Sequence, residues 1–364
     1  MCFIYVQVKS NRFIKLVRYK LAKHASCGLY QGKGVFGSGS KQVLLDREEW
    51  ATLVKVASCW CTFKSLDELR EEVGTKYPFI SHQKLEEKIQ FLKNGFLISD
   101  RYCFDQFDER YERNIRFYNY FTTCPEEFQL NIQKSVVTII GCGGIGNLIS
   151  HMLVNSGIKK VILVDDDVVE ITNLTRQILF TEADIGAKKV NVLKQRLLER
   201  NSEAEIETVD LRIDKSSDLE NLERSDLYVV SADHPKDFIY WVNSYSVENK
   251  QPYINVGYLS DIAIVGPFYV PDVSACFSCG DLTEDLKSKS SLHNEIKEIN
   301  QHFKNITFAS VNGLAASYAF MDIVRFFTGS EILSMNKRIG IHTSKIAIET
   351  MMFEKNKFCH VCAK

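Results

Sequence analysis

Hydrophobic and polar positions along the chain fall into two regimes. Through residues 1–105, short β-like runs alternate with stretches of helical spacing. Residues 3–8 and 13–19 predict strands, and residues 46–60 predict a helix with Asp46 as N-cap. Ser65-Leu66-Asp67-Glu68 resembles a capping box ahead of a second short helix running towards Glu72. Residues 83–94 predict a third helix, with Leu85, Ile89 and either Leu92 or Phe91 on one face; Gly95 is its natural C-cap, and residues 96–99 predict a strand. Residues 28–40 are rich in Gly and Ser and predict a mobile loop. From Val136 onward strand and helix alternate. Strands at 136–140, 161–165, 206–211, 227–231 and 253–256 enclose helices at 147–155, 188–200 and 236–247. That order predicts an α/β fold: a Rossmann-like, doubly wound, mostly parallel sheet with right-handed crossovers. Residues 263–270, 338–342 and 346–349 predict further, antiparallel strands beside a helix at 311–327.

One stretch carries chemistry. Val136-Val137-Thr138-Ile139-Ile140 runs into Gly141-Cys142-Gly143-Gly144-Ile145-Gly146 and then a helix. A strand, a glycine turn and a helix N-terminus together form a site for nucleotide phosphates, because glycine backbone approaches the anion and free N–H groups face it. Close helix–strand packing also calls for glycines, so the trio of Gly141, Gly143 and Gly144 with Gly146 is a weak signal by itself. Cys142 reads as a small packing residue. Asp165 ends the next strand, where an acid can hold ribose hydroxyls. The run that follows contains Asp167, Asn173, Arg176 and Gln177, with Lys189 further on. A nicotinamide oxidoreductase has no need of that set, whereas Arg and Lys neutralise a triphosphate. Alternation at the strand end turns Asp166 to solvent. Asp233 follows the 227–231 strand at the carboxyl edge of the sheet, either as a site carboxylate or as N-cap of the next helix.

Cysteines form a second pattern. Cys276-Phe277-Ser278-Cys279 and Cys359-His360-Val361-Cys362 are two CxxC pairs, and four thiolates at that spacing suit a tetrahedral Zn²⁺. Their wide separation leaves a redox CxxC open, and His360 reads as a weaker ligand than the cysteines. The other totals narrow the class. With a net charge of −1 and a pI near 6.7 the chain is not a general nucleic-acid binder. No apolar run approaches a membrane span, and residues 1–8 make no convincing signal peptide, so a cytoplasmic protein is expected.

Gly141 to Gly146, the run from Asp165 to Gln177, Gly186-Ala187-Lys188-Lys189 and Ser231-Ala232-Asp233 together resemble the ubiquitin-activating-enzyme-like adenylyltransferases, the ThiF, MoeB and HesA group. Within that group the chain is similar to the MccB-like peptide nucleotidyltransferases of microcin C biosynthesis. That likeness rests on Asn173-Leu174-Thr175-Arg176-Gln177, Val230-Ser231-Ala232-Asp233-His234-Pro235, Gln251-Pro252-Tyr253-Ile254-Asn255 and Asn336-Lys337-Arg338-Ile339-Gly340-Ile341.

The resemblance implies a division into residues 1–105, a winged-helix-like module that recognises an extended peptide, and residues 106–364, an adenylyltransferase domain with a structural Cys₄ zinc site. It implies ATP, with CTP possible, as co-substrate, and Mg²⁺ held by Asp233 as the catalytic carboxylate. Arg176 and Lys189 would hold phosphate oxygens, Asn173 would orient phosphate, Gly144 and Gly146 would line the nucleotide, and Asp165 and Asp167 would hold ribose or metal. Arg110-Tyr111-Glu112-Arg113 matches a family motif whose second Arg reaches across a homodimer, making Arg113 a trans-acting finger; the plainer reading is an ion pair with Glu109 or Glu112. The implied partner is a short ribosomal peptide ending in Asn, with residues 253–257 expected near its terminus. The rival within the group is an adenylyltransferase for a Gly-Gly-ended sulfur carrier. Between Cys279 and Cys359 there is no cysteine, so thioester transfer is not expected.

Overall fold

A computed structural model describes residues 17–100, 108–235, 237–280, 298–299, 301 and 306–363. The strand expected at residues 3–8, most of that at 13–19, Lys236, and most of residues 280–308 within the cysteine-free segment lie outside the described residues. The chain divides into two compact units, Met1–Gln129 and Leu130–Lys364.

In the smaller unit, β1 (Tyr19–Leu21) pairs antiparallel with β5 (Leu97–Ser99). A three-stranded sheet runs β2 (Cys27–Tyr30), β3 (Lys33–Phe36), β4 (Val43–Leu45). Three helices follow: α1 (Arg47–Ser58), α2 (Leu66–Lys76) and α3 (His82–Lys93). Their apolar faces close around Trp60, with Leu53, Val56, Leu69, Leu85, Ile89 and Leu92 buried. This small-sheet and three-helix arrangement is of the winged-helix-like kind. The capping box forms as expected: Glu68 N donates to Ser65 Oγ at 3.2 Å and Ser65 N donates to Glu68 Oε2 at 2.6 Å. Asp46 occupies the N-cap of α1 without a capping side-chain bond.

Residues 28–40 are not a mobile loop. They hold a β-hairpin whose two turn residues, Gln31 and Gly32, both have positive φ (48° and 80°), the conformation of a type I′ turn. Gly34 is there for packing, since a Cβ on it would lie 1.9 Å from the Trp50 ring, which donates Nε1–H to Val35 O at 2.9 Å. Residues after 105, assigned from sequence to the larger domain, also pack on this unit. Beyond α4 (Glu112–Tyr118), buried Asn119 donates to Leu97 O (3.1 Å) and Thr122 O (2.9 Å), and the Tyr120 ring stacks on His24. α5 (Pro125–Ile132) leads into the larger unit.

The larger unit is an eight-stranded sheet. Five strands are parallel, in the order β8 (Glu205–Val209), β7 (Lys160–Val164), β6 (Val136–Ile140), β9 (Leu227–Val230), β10 (Tyr253–Leu259). The antiparallel β11 (Ile262–Tyr269), β12 (Lys337–His342) and β13 (Ile348–Met352) extend it beyond β10. Crossovers use α6 (Gly144–Asn155), α7 (Lys189–Arg200) and α8 (Phe238–Glu248), and α9 (Ala309–Thr328) packs on α6, β10 and β11. The central strands read as nearly continuous apolar runs because both faces are covered. Strand order reverses between β6 and β9, so a crevice opens at their carboxyl ends, where open α/β sheets bind ligands. No helix among the described residues is long and apolar enough to cross a membrane.

Candidate nucleotide site

The crevice is a cavity of about 320 Å³. Gly141, Gly143, Gly144, Asp165, Asp167, Arg176, Gln177, Lys189 and Asp233 all line it. The glycines divide by task. Gly141 has φ +97°, and a Cβ there would lie 2.7 Å from Ala232 N, so close approach of the β6 and β9 ends excludes any side chain. Gly146 does not line the cavity. A Cβ on it would lie 1.9 Å from Gly141 O, which makes it the residue that lets α6 sit against β6. The expectation that Gly146 touches nucleotide is therefore corrected. Gly143 has ordinary φ (−69°) and open space beside it, and it caps α6 at the cavity wall. Packing does not require glycine there. Gly146→Ala is expected to destabilise the fold by about 2 kcal/mol or more. Gly143→Ala should melt like the wild type and bind nucleotide more weakly, which melting curves and calorimetry check together.

Asp165 ties the loop to β7. Its carboxylate accepts from Cys142 N at 2.6 Å and from Asp167 N at 2.9 Å. Burial raises its pKa above the usual carboxylate range, against the opposing pull of Lys189. Cys142 is fully buried, and burial holds its thiol well above the ordinary value, as befits a packing residue. Asp166 is half-buried and lines the cavity, while Asp167 is the more exposed of the two. Alternation fails because β7 ends at Val164. The three aspartates bring carboxylate oxygens within 4.8 Å of one another, a hard-oxygen set that fits Mg²⁺. Lys189, 6% exposed, is held by Asp167 at 2.6 Å. Asn173 does not line the cavity; its Oδ1 accepts from Glu170 N and closes the turn from which Arg176 and Gln177 project. Arg176 donates to Thr172 O at 2.9 Å. Asp233 is exposed and makes no hydrogen bond among the described residues, and α8 starts beyond it with Asp237 at its N-cap, so Asp233 does not cap that helix.

Sequence reasoning missed several walls of the site. Tyr258 lines the cavity, and burial first, then the charge of Asp233, raises its pKa. Tyr253 and Ile254, expected near the peptide terminus, are fully buried, with the Tyr253 hydroxyl donating to Asn243. Asn312, on α9, was also missed; the signal available was an amide on the buried, mostly apolar stripe of that helix.

In the second cluster Cys276, Cys279, Cys359 and Cys362 bring their sulfurs within 4.8 Å of one another, and His360 is not among them. The Sγ–Sγ distances are 3.8 Å (Cys276–Cys279), 3.6 Å (Cys276–Cys359) and 3.4 Å (Cys279–Cys362). Tetrahedral Zn–S bonds of about 2.3 Å need sulfurs about 3.8 Å apart, so the donor set fits zinc. Asn243 Nδ2 and Asn356 N donate to Cys276 and Cys279, a second shell that favours thiolates. Four protein ligands close the shell, and zinc there would supply stability rather than catalysis. Cys276→Ser is expected to lose the metal and lower the melting midpoint by roughly 10 °C, read by elemental analysis and calorimetry.

Residues 111–361, well over half of the chain, match the ThiF family model. Escherichia coli MccB solved with ATP is 38% identical, with a TM-score of 0.86 over 95% of this chain and 99% of that one. The same protein has been solved with a succinimide and with MccA-N7isoAsn, the latter 39% identical at the same TM-score and coverage. The adenylyltransferase and sulfurtransferase MOCS3 of Aedes aegypti is 30% identical over 177 residues, 48% of this chain. The aligned segment spans only 39% of that relative's length. The matched span takes in the glycine loop, the acid trio, Arg176, Lys189, Asp233 and both cysteine pairs but Cys362, and the chain belongs to the ThiF family.

Proposed function

We propose that this chain is a nucleotidyltransferase that activates the C-terminal carboxylate of a short peptide on the α-phosphate of ATP or CTP. The observation that carries the reading is one cavity, at the positive end of α6, that gathers Gly143, Gly144, Arg176, Lys189 and Asp233. It is supported by a likeness over nearly the whole chain to a protein solved with ATP. A carboxylate is a poor electrophile. Its attack on the α-phosphorus forms one P–O bond, breaks the α–β bridge, and leaves a mixed anhydride with pyrophosphate as leaving group. Arg176 and Lys189 offset charge building on that leaving group, with Lys189 exchanging Asp167 for phosphate oxygen. Asp233 would hold Mg²⁺, which when bound would neutralise charge at the phosphates.

The finer reading continues in the same site. The side-chain amide nitrogen of a terminal Asn attacks its own activated carbonyl, expels the nucleotide and closes a succinimide. The succinimide nitrogen then loses its proton and attacks the α-phosphorus of a second nucleoside triphosphate, breaking the α–β bridge, expelling pyrophosphate and leaving a P–N bond, as in microcin C-type biosynthesis. Both steps need an acceptor aligned with the same phosphorus. That E. coli MccB has been solved with a succinimide supports a succinimide stage. In the smaller unit, β4 has a neighbour on one side only among the described residues, and Leu44 is exposed. An extended peptide can add to that edge through main-chain hydrogen bonds.

Similarity to MOCS3 favours a second reading, adenylation of a Gly-Gly-ended sulfur carrier. Incubation with Mg²⁺, ATP or CTP and an Asn-ended peptide is expected to release pyrophosphate and add a nucleotide-sized mass to the peptide. Modification of a carrier protein alone would replace the peptide reading, and no pyrophosphate from any ribonucleotide would remove both.

A further inference from the structure

The cavity is lined by a buried amide whose donor end has no use among the described residues. Asn312 lies in the first turn of α9 and is 1% exposed. Its Oδ1 accepts from Thr307 Oγ1 at 3.3 Å, and its Nδ2 has no hydrogen-bond partner among the described residues. That nitrogen borders the cavity and sits against the start of α6: a Cβ on Gly144 would lie 2.7 Å from it. Gly144 opens a twelve-residue helix whose free N–H groups and dipole favour an anion. A buried donor left unpaired is costly, so a site that retains one is built for an acceptor that arrives from outside.

Resting on the function proposed above, we infer that Asn312 Nδ2 donates to a phosphate oxygen of the nucleoside triphosphate seated at the N-terminus of α6. Asn312 is then a nucleotide-binding residue, brought by a helix remote in sequence from the glycine loop. Thr307 is a positioning residue. By donating to Oδ1 it turns the NH₂ end of the amide, not the carbonyl, towards the phosphates. A carbonyl facing that point would repel them.

The test measures Kd for ATP and for CTP on the full-length protein with Mg²⁺, alongside Kd for an Asn-ended peptide and the melting midpoint. Asn312→Asp replaces a donor with a like-charged oxygen and is expected to weaken the better nucleotide about tenfold or more while leaving peptide affinity within about twofold. Asn312→Ala should shift nucleotide affinity in the same direction by a smaller factor, and it decides the question by the same comparison if the Asp variant does not fold. Unchanged nucleotide affinity in a folded variant overturns the inference, because a purely structural amide would move only the melting midpoint. Failure of the wild type to bind either nucleotide instead removes the proposed function, so the two failures are distinguishable.

Discussion

Asp233→Asn is expected to fold as the wild type does and to release pyrophosphate about 10²–10³ times more slowly. The stability half follows from what Asp233 does not do. It is exposed, caps no helix, and makes no hydrogen bond among the described residues, so an isosteric amide should change stability by no more than about 0.5 kcal/mol. The activity half follows from where it stands. Asp233 is the carboxylate on the β9 side of the crevice, and a neutral amide there cannot hold a divalent cation against a triphosphate. A second readout separates loss of charge from loss of shape. The charge of Asp233 helps raise the pKa of Tyr258, so the variant should bring the Tyr258 hydroxyl back down, visible as earlier tyrosinate absorbance in an alkaline titration. Turnover at the wild-type rate would take Asp233 out of the chemistry.

Much of this site was legible because its chemistry is local. The glycine turn and the acids after β7 lie within a few residues of strand ends that apolar runs mark plainly, and Arg176 follows further along the same run as those acids. What misled depends on distant neighbours. Composition marks residues 28–40 as flexible, yet Gly34 is required by Trp50, which a linear window does not bring beside it. Gly146 and Gly143 look alike in a motif, and only the distance to Gly141 O shows which faces helix packing and which faces the cavity. Alternation assigned Asp166 to solvent by extending β7 beyond Val164, where it stops. Asn312 and Tyr258 come from α9 and β10, and nothing near the glycine loop in sequence announces them.

Mixing Arg113→Ala and Asp233→Asn proteins is expected to restore about a quarter of wild-type activity, although each variant alone is nearly inactive. Arg113 is exposed on α4 and has no ion pair among the described residues. The competing surface pair is not made, since the Glu112 carboxylate is taken by Arg116. An exposed, unengaged guanidinium costs nothing to carry to a second copy, and an arginine supplied to departing phosphate in trans is worth about 10³-fold or more. Equal mixing of two freely exchanging homodimers makes about half of them hybrid. If the arginine acts across the dimer, one site of each hybrid collects both lesions and the other collects neither, so about a quarter of all sites are intact. If it acts within its own chain, every site carries one lesion and mixing restores nothing. The experiment follows pyrophosphate release while fluorescence transfer between labelled subunits reports exchange. Complete exchange with no recovery would remove the trans-acting role of Arg113.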